Sequence, residues 1–125
     1  MKDISLLLLR LTFGGLMLLN HGWGKLDKLL NGEKFGDPIG LGSDVSLYLV
    51  VFAEVVCAFL VMIGAFTRYT VIPLIFTMLV AILVVHIDDP FKKMEMAILY
   101  LIPYIILFFE GAGDYSVDSR LRNVD

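Results

Sequence analysis

The chain has 125 residues, of which 58% are hydrophobic, and a formal net charge of −3 at pH 7. That apolar share lies above the range of about 45 to 50% that is typical of soluble domains, so we predict an all-α integral membrane protein with a single domain. The negative charge is accompanied by no basic patch, which argues against a nucleic-acid partner. Cys57 is the one cysteine, so the sequence excludes an internal disulfide and a dithiol relay.

Four apolar stretches organise the chain, and each is interpreted as a helix that crosses the lipid bilayer. They predict a four-helix bundle with spans at about residues 4–21, 45–66, 70–87 and 94–110. Both termini then lie on one side of the membrane, called the near side, and the loops 22–44 and 88–93 lie on the far side. Residues 23–31 have amphipathic helical spacing and predict a short interfacial helix ended by Gly32, and residues 111–125 predict a soluble tail.

One acidic residue, Glu54, interrupts the middle of the second span. A charge at that depth costs at least about 2.5 kcal/mol on insertion scales, so a compensating partner is expected. Arg10 is the candidate, because it also lies inside an apolar stretch and at a similar depth when about 1.5 Å is counted per residue. We therefore predict an Arg10–Glu54 pair at the floor of a polar shaft. The alternative is a purely structural pair that only fixes helix register.

Three further ionisable residues, His21, His86 and Glu95, are predicted at the far ends of the spans, around the mouth of this shaft. Ionisable residues are rare in membrane spans, so all five polar residues are candidates for ligand binding. Each of the three also has a structural interpretation. A histidine at a helix C-terminus, or a glutamate in a first turn, is favoured by the helix dipole alone.

A mixed cluster of this kind suits several ligand classes. It could bind an anionic or polar head group, donate a hydrogen bond to a quinone carbonyl, or pass protons between histidine and glutamate. No close ligand spacing supports a metal site, and no phosphate-binding loop, nucleophile elbow or haem motif is present. The residues therefore assign no catalytic group, and quinone is the one cofactor considered.

Several motifs resemble the DoxX family of small bacterial membrane proteins. The stretch 8–11, which contains Arg10, and the stretch 20–26, which contains His21-Gly22 and Lys25-Leu26, are similar to the opening of that family. Further matches follow along nearly the whole chain: Glu54 in the second span, Gly64 before Thr67-Arg68, and the run 111–118. The resemblance implies a four-helix protein of the bacterial inner membrane with cytoplasmic termini, whose relatives are associated with quinone-linked oxidation of sulfur compounds.

Three functions are consistent with these observations. The leading hypothesis is a membrane subunit whose polar shaft binds a quinone head group or a sulfur oxyanion and so supports a redox partner. The alternatives are a small solute or proton-coupled transporter, and a scaffold subunit without a ligand, in a complex with another protein or with further copies of itself. Basic residues do not settle the orientation in the membrane, since four lie on the predicted near side and five on the far side.

Overall fold

The computed structural model describes residues 1–33, 36, 38, 40–85 and 87–122. Within these residues every regular element is a helix and no strand occurs, which confirms the predicted all-α class. The helices are α1 (Lys2–Leu30), α2 (Ser43–Ile63), α3 (Thr67–Val85), α4 (Phe91–Glu110) and α5 (Val117–Arg122). The first four correspond to the four apolar stretches of the sequence, and α5 lies in the tail.

The helices α1, α2 and α3 are long and apolar enough to cross a membrane. Their outer faces, and the outer face of α4, expose large apolar side chains such as Leu19, Phe76 and Phe109. Exposure of so much apolar surface to water is unfavourable, whereas contact of these side chains with lipid is not. The prediction of an all-α membrane protein is therefore confirmed. The helix α4 packs along α3 over most of its length.

The segment 23–30 is helical, as predicted, but it is the direct continuation of the first helix. Gly22 (φ −67°, ψ −42°) and Trp23 (φ −60°, ψ −44°) both have ordinary helical dihedral angles, so nothing separates the segment from the preceding span. The helix ends at Gly32, which has a positive φ of 70°. The amides of Gly32 and Glu33 donate to the carbonyls of Leu29 and Lys28, the double bond of a Schellman motif, as the sequence predicts for this glycine.

The helical hydrogen bonding widens to the π type at several places. In the described residues these are Arg10–Gly14, Met17–Gly22, Phe52–Cys57 and Ala81–Val85. The first three contain Arg10, His21 and Glu54, three of the polar residues that the sequence analysis selects. A π turn shifts the register of every side chain beyond it, and such turns are frequent at functional sites.

Two glycines of α1 allow its backbone to approach α2 closely. A Cβ atom at Gly14 would lie 3.0 Å from the carbonyl oxygen of Ala58, and one at Gly22 would collide with the carbonyl of Glu54. Small residues at these positions therefore leave room for the backbone of the neighbouring helix. On the other side of α1, the hydroxyl of the buried Tyr104 in α4 donates to the carbonyl of Phe13 at 3.0 Å.

The described part of the tail folds back over the near ends of the helices. The carboxylate of Asp118 accepts hydrogen bonds from the amides of Phe66 (2.6 Å) and Thr67 (3.0 Å), where α3 begins. The amide of Asp118 in turn donates to the carbonyl of Gly64 at 2.9 Å. The tail thus caps α3, because it satisfies amide groups that have no partner inside the helix.

Candidate functional site: a polar cavity beside Glu54 and Lys25

Glu54 is held at the interface of α1 and α2, and its side chain is 2% exposed. It lies in the π turn Phe52–Cys57, near the middle of α2. The missing side chain of Gly22 lets α1 approach the backbone at this point. A carboxylate so deeply buried needs a charged partner or several hydrogen-bond donors.

The partner of Glu54 is Lys25, which the sequence analysis did not select. Its ammonium nitrogen Nζ lies 2.7 Å from Oε1 and 2.5 Å from Oε2 of the carboxylate, so it bridges both oxygens. The predicted Arg10–Glu54 pair is therefore wrong. Counting about 1.5 Å per residue from the predicted membrane edge gave the wrong partner, because α1 continues past Gly22. The next turn of the helix, which contains Lys25, therefore lies at the level of Glu54. A signal was available: Lys25 follows His21 by four residues and so extends the polar face of α1.

Arg10 belongs to a different cluster, at the near end of the molecule. Its guanidinium is fully buried and donates to the carbonyls of Met62 (3.0 Å) and Tyr115 (2.5 Å). It packs against Gly64, where a Cβ atom would lie only 2.6 Å from Nη1. Arg10 therefore joins α1, the end of α2 and the tail, and in the structure it acts as a clamp on the fold.

A cavity of about 170 Å³ opens beside the Glu54–Lys25 pair. Its polar wall contains the pair itself, the ring of His21 and the phenol of Tyr100. The rest of the wall is made of small and flexible side chains, namely Met17, Thr77, Met78, Ala81, Met96 and Ala97. Residues of α1, α2, α3 and α4 all contribute, so the cavity lies between the four long helices.

Aromatic contacts hold the polar wall in place. The rings of His21 and Tyr100 meet edge to face, with centroids 5.3 Å apart and an interplanar angle of 87°. The ring of Tyr100 also stacks on that of Tyr104 at 6.1 Å, and Tyr104 is anchored to α1 by its hydroxyl. Such pairs prefer offset-stacked and edge-to-face arrangements, so the orientation of the His21 ring is defined by packing.

The charges of the described residues on the cavity wall cancel. Lys25 supplies one positive and Glu54 one negative charge, and the remaining wall residues apart from His21 carry no ionisable charge near neutral pH. Lys25 keeps 27% of its side chain exposed, so the pair is reachable from outside although its carboxylate is buried. An ammonium has three donors, and the two carboxylate oxygens occupy two of them. One N–H of Lys25 is thus left for another acceptor.

Of the candidates of the sequence analysis that the structure describes, Glu95 does not join this wall. Glu95 is exposed on α4, and His86 lies outside the described residues. Cys57 is buried among the apolar side chains of the core. Within the described ranges, no group of three or more His, Cys, Asp or Glu side chains is placed to hold a metal ion.

A larger groove of about 610 Å³ lies at the near end, between the tail and the ends of α1, α3 and α4. Its charged groups are largely engaged within the fold. Lys2 pairs with Glu110 at 2.5 Å, Asp118 caps α3, and Arg68 donates to the carbonyl of Phe109 at 3.3 Å. The cavity beside Glu54 is therefore the better candidate for a ligand site.

Comparison with known proteins agrees with the motifs in the sequence. The family model described as DoxX matches residues 5–87, which include most of α1 and all of α2 and α3. An uncharacterized protein of Haemophilus influenzae is 25% identical over 97 residues. That match covers 74% of this chain and 64% of the length of the relative. No solved structure matches the chain.

Proposed function

The chain belongs to the DoxX family, and on that premise we propose that it is an integral membrane subunit that binds a small polar ligand between its helices. In this proposal the bound ligand serves a quinone- or sulfur-linked redox reaction. A partner protein, or a further copy of the chain, carries out the electron exchange. The single observation that carries the proposal is the cavity beside the buried Glu54–Lys25 pair.

The size of the cavity supports a ligand of one ring or less. An engineered cavity of about 150 Å³ in another protein is large enough for benzene, so about 170 Å³ accommodates a six-membered ring. The head group of a benzoquinone is a single six-membered ring. The mainly apolar wall with a few convergent polar groups is typical of small-molecule sites.

The chemistry of the wall supports a ligand with accepting oxygens. The free N–H of Lys25 and the hydroxyl of Tyr100 are donors, and one ring nitrogen of His21 is a donor in either neutral tautomer. All three residues line one cavity. In a water-poor site such hydrogen bonds are stronger than in water, so two or three of them orient a small ligand. The same groups would bind, orient and deliver protons to a carbonyl that is being reduced.

The proposal places the protein in the bacterial inner membrane, with four crossing helices and both termini in the cytoplasm. Lys2 at the start of α1 contacts Glu110 at the end of α4, so the first helix begins where the fourth one ends. This contact supports the placement of both termini on the same side of the membrane. Fusion of a reporter to the C-terminus, active only in the cytoplasm, tests the orientation. An inactive cytoplasmic reporter, together with activity of a second reporter that works only in the periplasm and is fused at the same position, would reverse the orientation.

A second candidate is a scaffold subunit without a ligand. The observation that favours it is the same ion pair, since Lys25 and Glu54 also tie α1 to α2. The two functions differ in what the cavity does. Under the scaffold function the cavity is only space between helices, and its walls can be filled without loss of function.

Ligand binding separates the two candidates. The purified protein in phosphatidylcholine nanodiscs is titrated with duroquinone, an uncharged ring with two carbonyls, and binding is measured by calorimetry. We expect saturable binding that Ala97→Leu removes, because Ala97 is a buried wall residue and the added atoms fill the cavity. The control Glu95→Gln lies outside the wall and should bind like the original protein. Absence of saturable binding for duroquinone and for thiosulfate would favour the scaffold.

A further inference from the structure

We propose that Glu54 sets the charge of the ligand: by neutralising Lys25 it makes the cavity select an uncharged hydrogen-bond acceptor and exclude an oxyanion. This inference rests on the proposed function and narrows its ligand class. Of the two ligand types that the sequence left open, it favours an uncharged ring with carbonyl oxygens over a sulfur oxyanion.

The first step of the argument is the balance of charge. Among the described residues that line the cavity, Lys25 and Glu54 are the charged pair, and His21 contributes an imidazole that packs edge to face on Tyr100. Both carboxylate oxygens of Glu54 are within 2.7 Å of the lysine nitrogen. An anion entering this site would face a cation whose charge is already compensated, and it would come close to a second anion.

The second step concerns Arg10, the buried arginine of α1. An oxyanion buried from water needs charged donors to replace its hydration, and planar bidentate donation by arginine is the usual solution. The sequence offers Arg10 for this task. The structure has Arg10 at the near end, where its terminal nitrogens Nη1 and Nη2 donate to the carbonyls of Met62 and Tyr115. With His21 as a neutral imidazole, the described residues that line the cavity therefore supply no second positive charge, which an oxyanion would require.

The third step is what remains available to an uncharged ligand. Lys25 has an N–H to spare, while Tyr100 and His21 stand edge to face on the same wall. A neutral carbonyl oxygen accepts these hydrogen bonds without adding charge to the site. The three methionines of the wall, Met17, Met78 and Met96, are flexible and polarizable and suit contact with a flat ring.

The test changes the charge of the wall while keeping its shape. Three probes are titrated into nanodiscs of phosphatidylcholine: duroquinone as the uncharged ring, thiosulfate as the oxyanion, and dimethyl sulfone as an uncharged sulfur compound with accepting oxygens. For the original protein we expect thiosulfate to bind at least tenfold more weakly than duroquinone, about 1.4 kcal/mol. Dimethyl sulfone should bind measurably where thiosulfate does not, since it shares the S–O acceptors without the charge.

Glu54→Gln leaves Lys25 as an uncompensated cation. We expect the ratio of thiosulfate affinity to duroquinone affinity to rise at least tenfold, about 1.4 kcal/mol. The double variant Lys25→Gln with Glu54→Gln restores a wall without net charge, and the ratio should return to that of the original protein. Because the readout is a ratio within one preparation, a general loss of folded protein does not change it. Glu95→Gln is the matched control, a glutamate on the exposed face of α4.

The outcomes separate the inference from the function on which it rests. If the original protein binds thiosulfate more tightly than duroquinone, or if Glu54→Gln leaves the affinity ratio unchanged, the charge inference is overturned and the ligand site stands. If no probe binds the original protein and Glu54→Gln gains nothing, both the inference and the proposed function fail.

Discussion

Removal of the lysine partner of Glu54 is the perturbation with the largest expected effect. In Lys25→Met the side chain keeps its length and loses its charge, so the Glu54 carboxylate stays buried without a partner. Breaking a buried ion pair in this way costs about 3 to 5 kcal/mol. Because Lys25 is 27% exposed, water can partly replace it, and we expect the lower end of that range, about 3 kcal/mol.

The assay is equilibrium unfolding of the purified protein in mixed micelles by a denaturing detergent, followed by far-ultraviolet circular dichroism. Lys28→Met is the matched control, since Lys28 lies on the exposed side of the same helix. It should change the free energy of unfolding by no more than about 0.5 kcal/mol. The double variant Lys25→Met with Glu54→Leu removes both charges and should be more stable than Lys25→Met alone, with a coupling energy of about 2 to 3 kcal/mol.

A second double-mutant cycle tests whether Glu54 pairs with Lys25 and not with Arg10. Arg10→Met and Glu54→Gln should be additive within about 0.5 kcal/mol, because the two residues share no hydrogen-bond partner. The reasoning would be refuted if Lys25→Met matched Lys28→Met in stability. It would also be refuted if the coupling energy appeared between Arg10 and Glu54 in place of Lys25 and Glu54.

Three further predictions concern close packing and the tail. Gly22→Ala should destabilise the protein by about 1 to 3 kcal/mol in the same unfolding assay, because the added Cβ would collide with the backbone of α2. Gly24→Ala is the control and should not destabilise the protein, because the space around Gly24 is open. Asp118→Ala removes the acceptor for the first amides of α3 and should cost about 0.5 to 2 kcal/mol, with faster hydrogen exchange at those amides. Arg10→Met releases a tail carbonyl and should increase the rate of tryptic cleavage at the exposed Arg120 severalfold; an unchanged rate would contradict the clamp.

Those features that depend on short stretches of sequence could be predicted. The four apolar stretches correspond to the long helices because helix length and hydropathy are local properties. The close approach at Gly14 and the helix end at Gly32 follow from the missing side chain and the accessible positive φ. His21 and Glu54 line one cavity, while Arg10 and Glu95 do not line it.

The partners of the charged residues could not be obtained in this way. Counting 1.5 Å per residue assumes a regular helix that leaves the membrane at residue 22, but α1 continues and contains two π turns that shift its register. Lys25 therefore replaces Arg10 beside Glu54. The acceptors of Arg10 are backbone carbonyls, which every residue carries. No pattern of side chains in the tail could therefore predict them.

The central claim is that the Glu54–Lys25 pair forms one wall of an open ligand cavity, and crystals grown from a lipidic phase and soaked with duroquinone test it most directly. The account predicts density for one flat ring between Met17, Met78 and Tyr100, with an oxygen about 3 Å from Nζ of Lys25. Density for the intact ion pair with the surrounding side chains closed over the cavity, and no ring at saturating duroquinone, would contradict it.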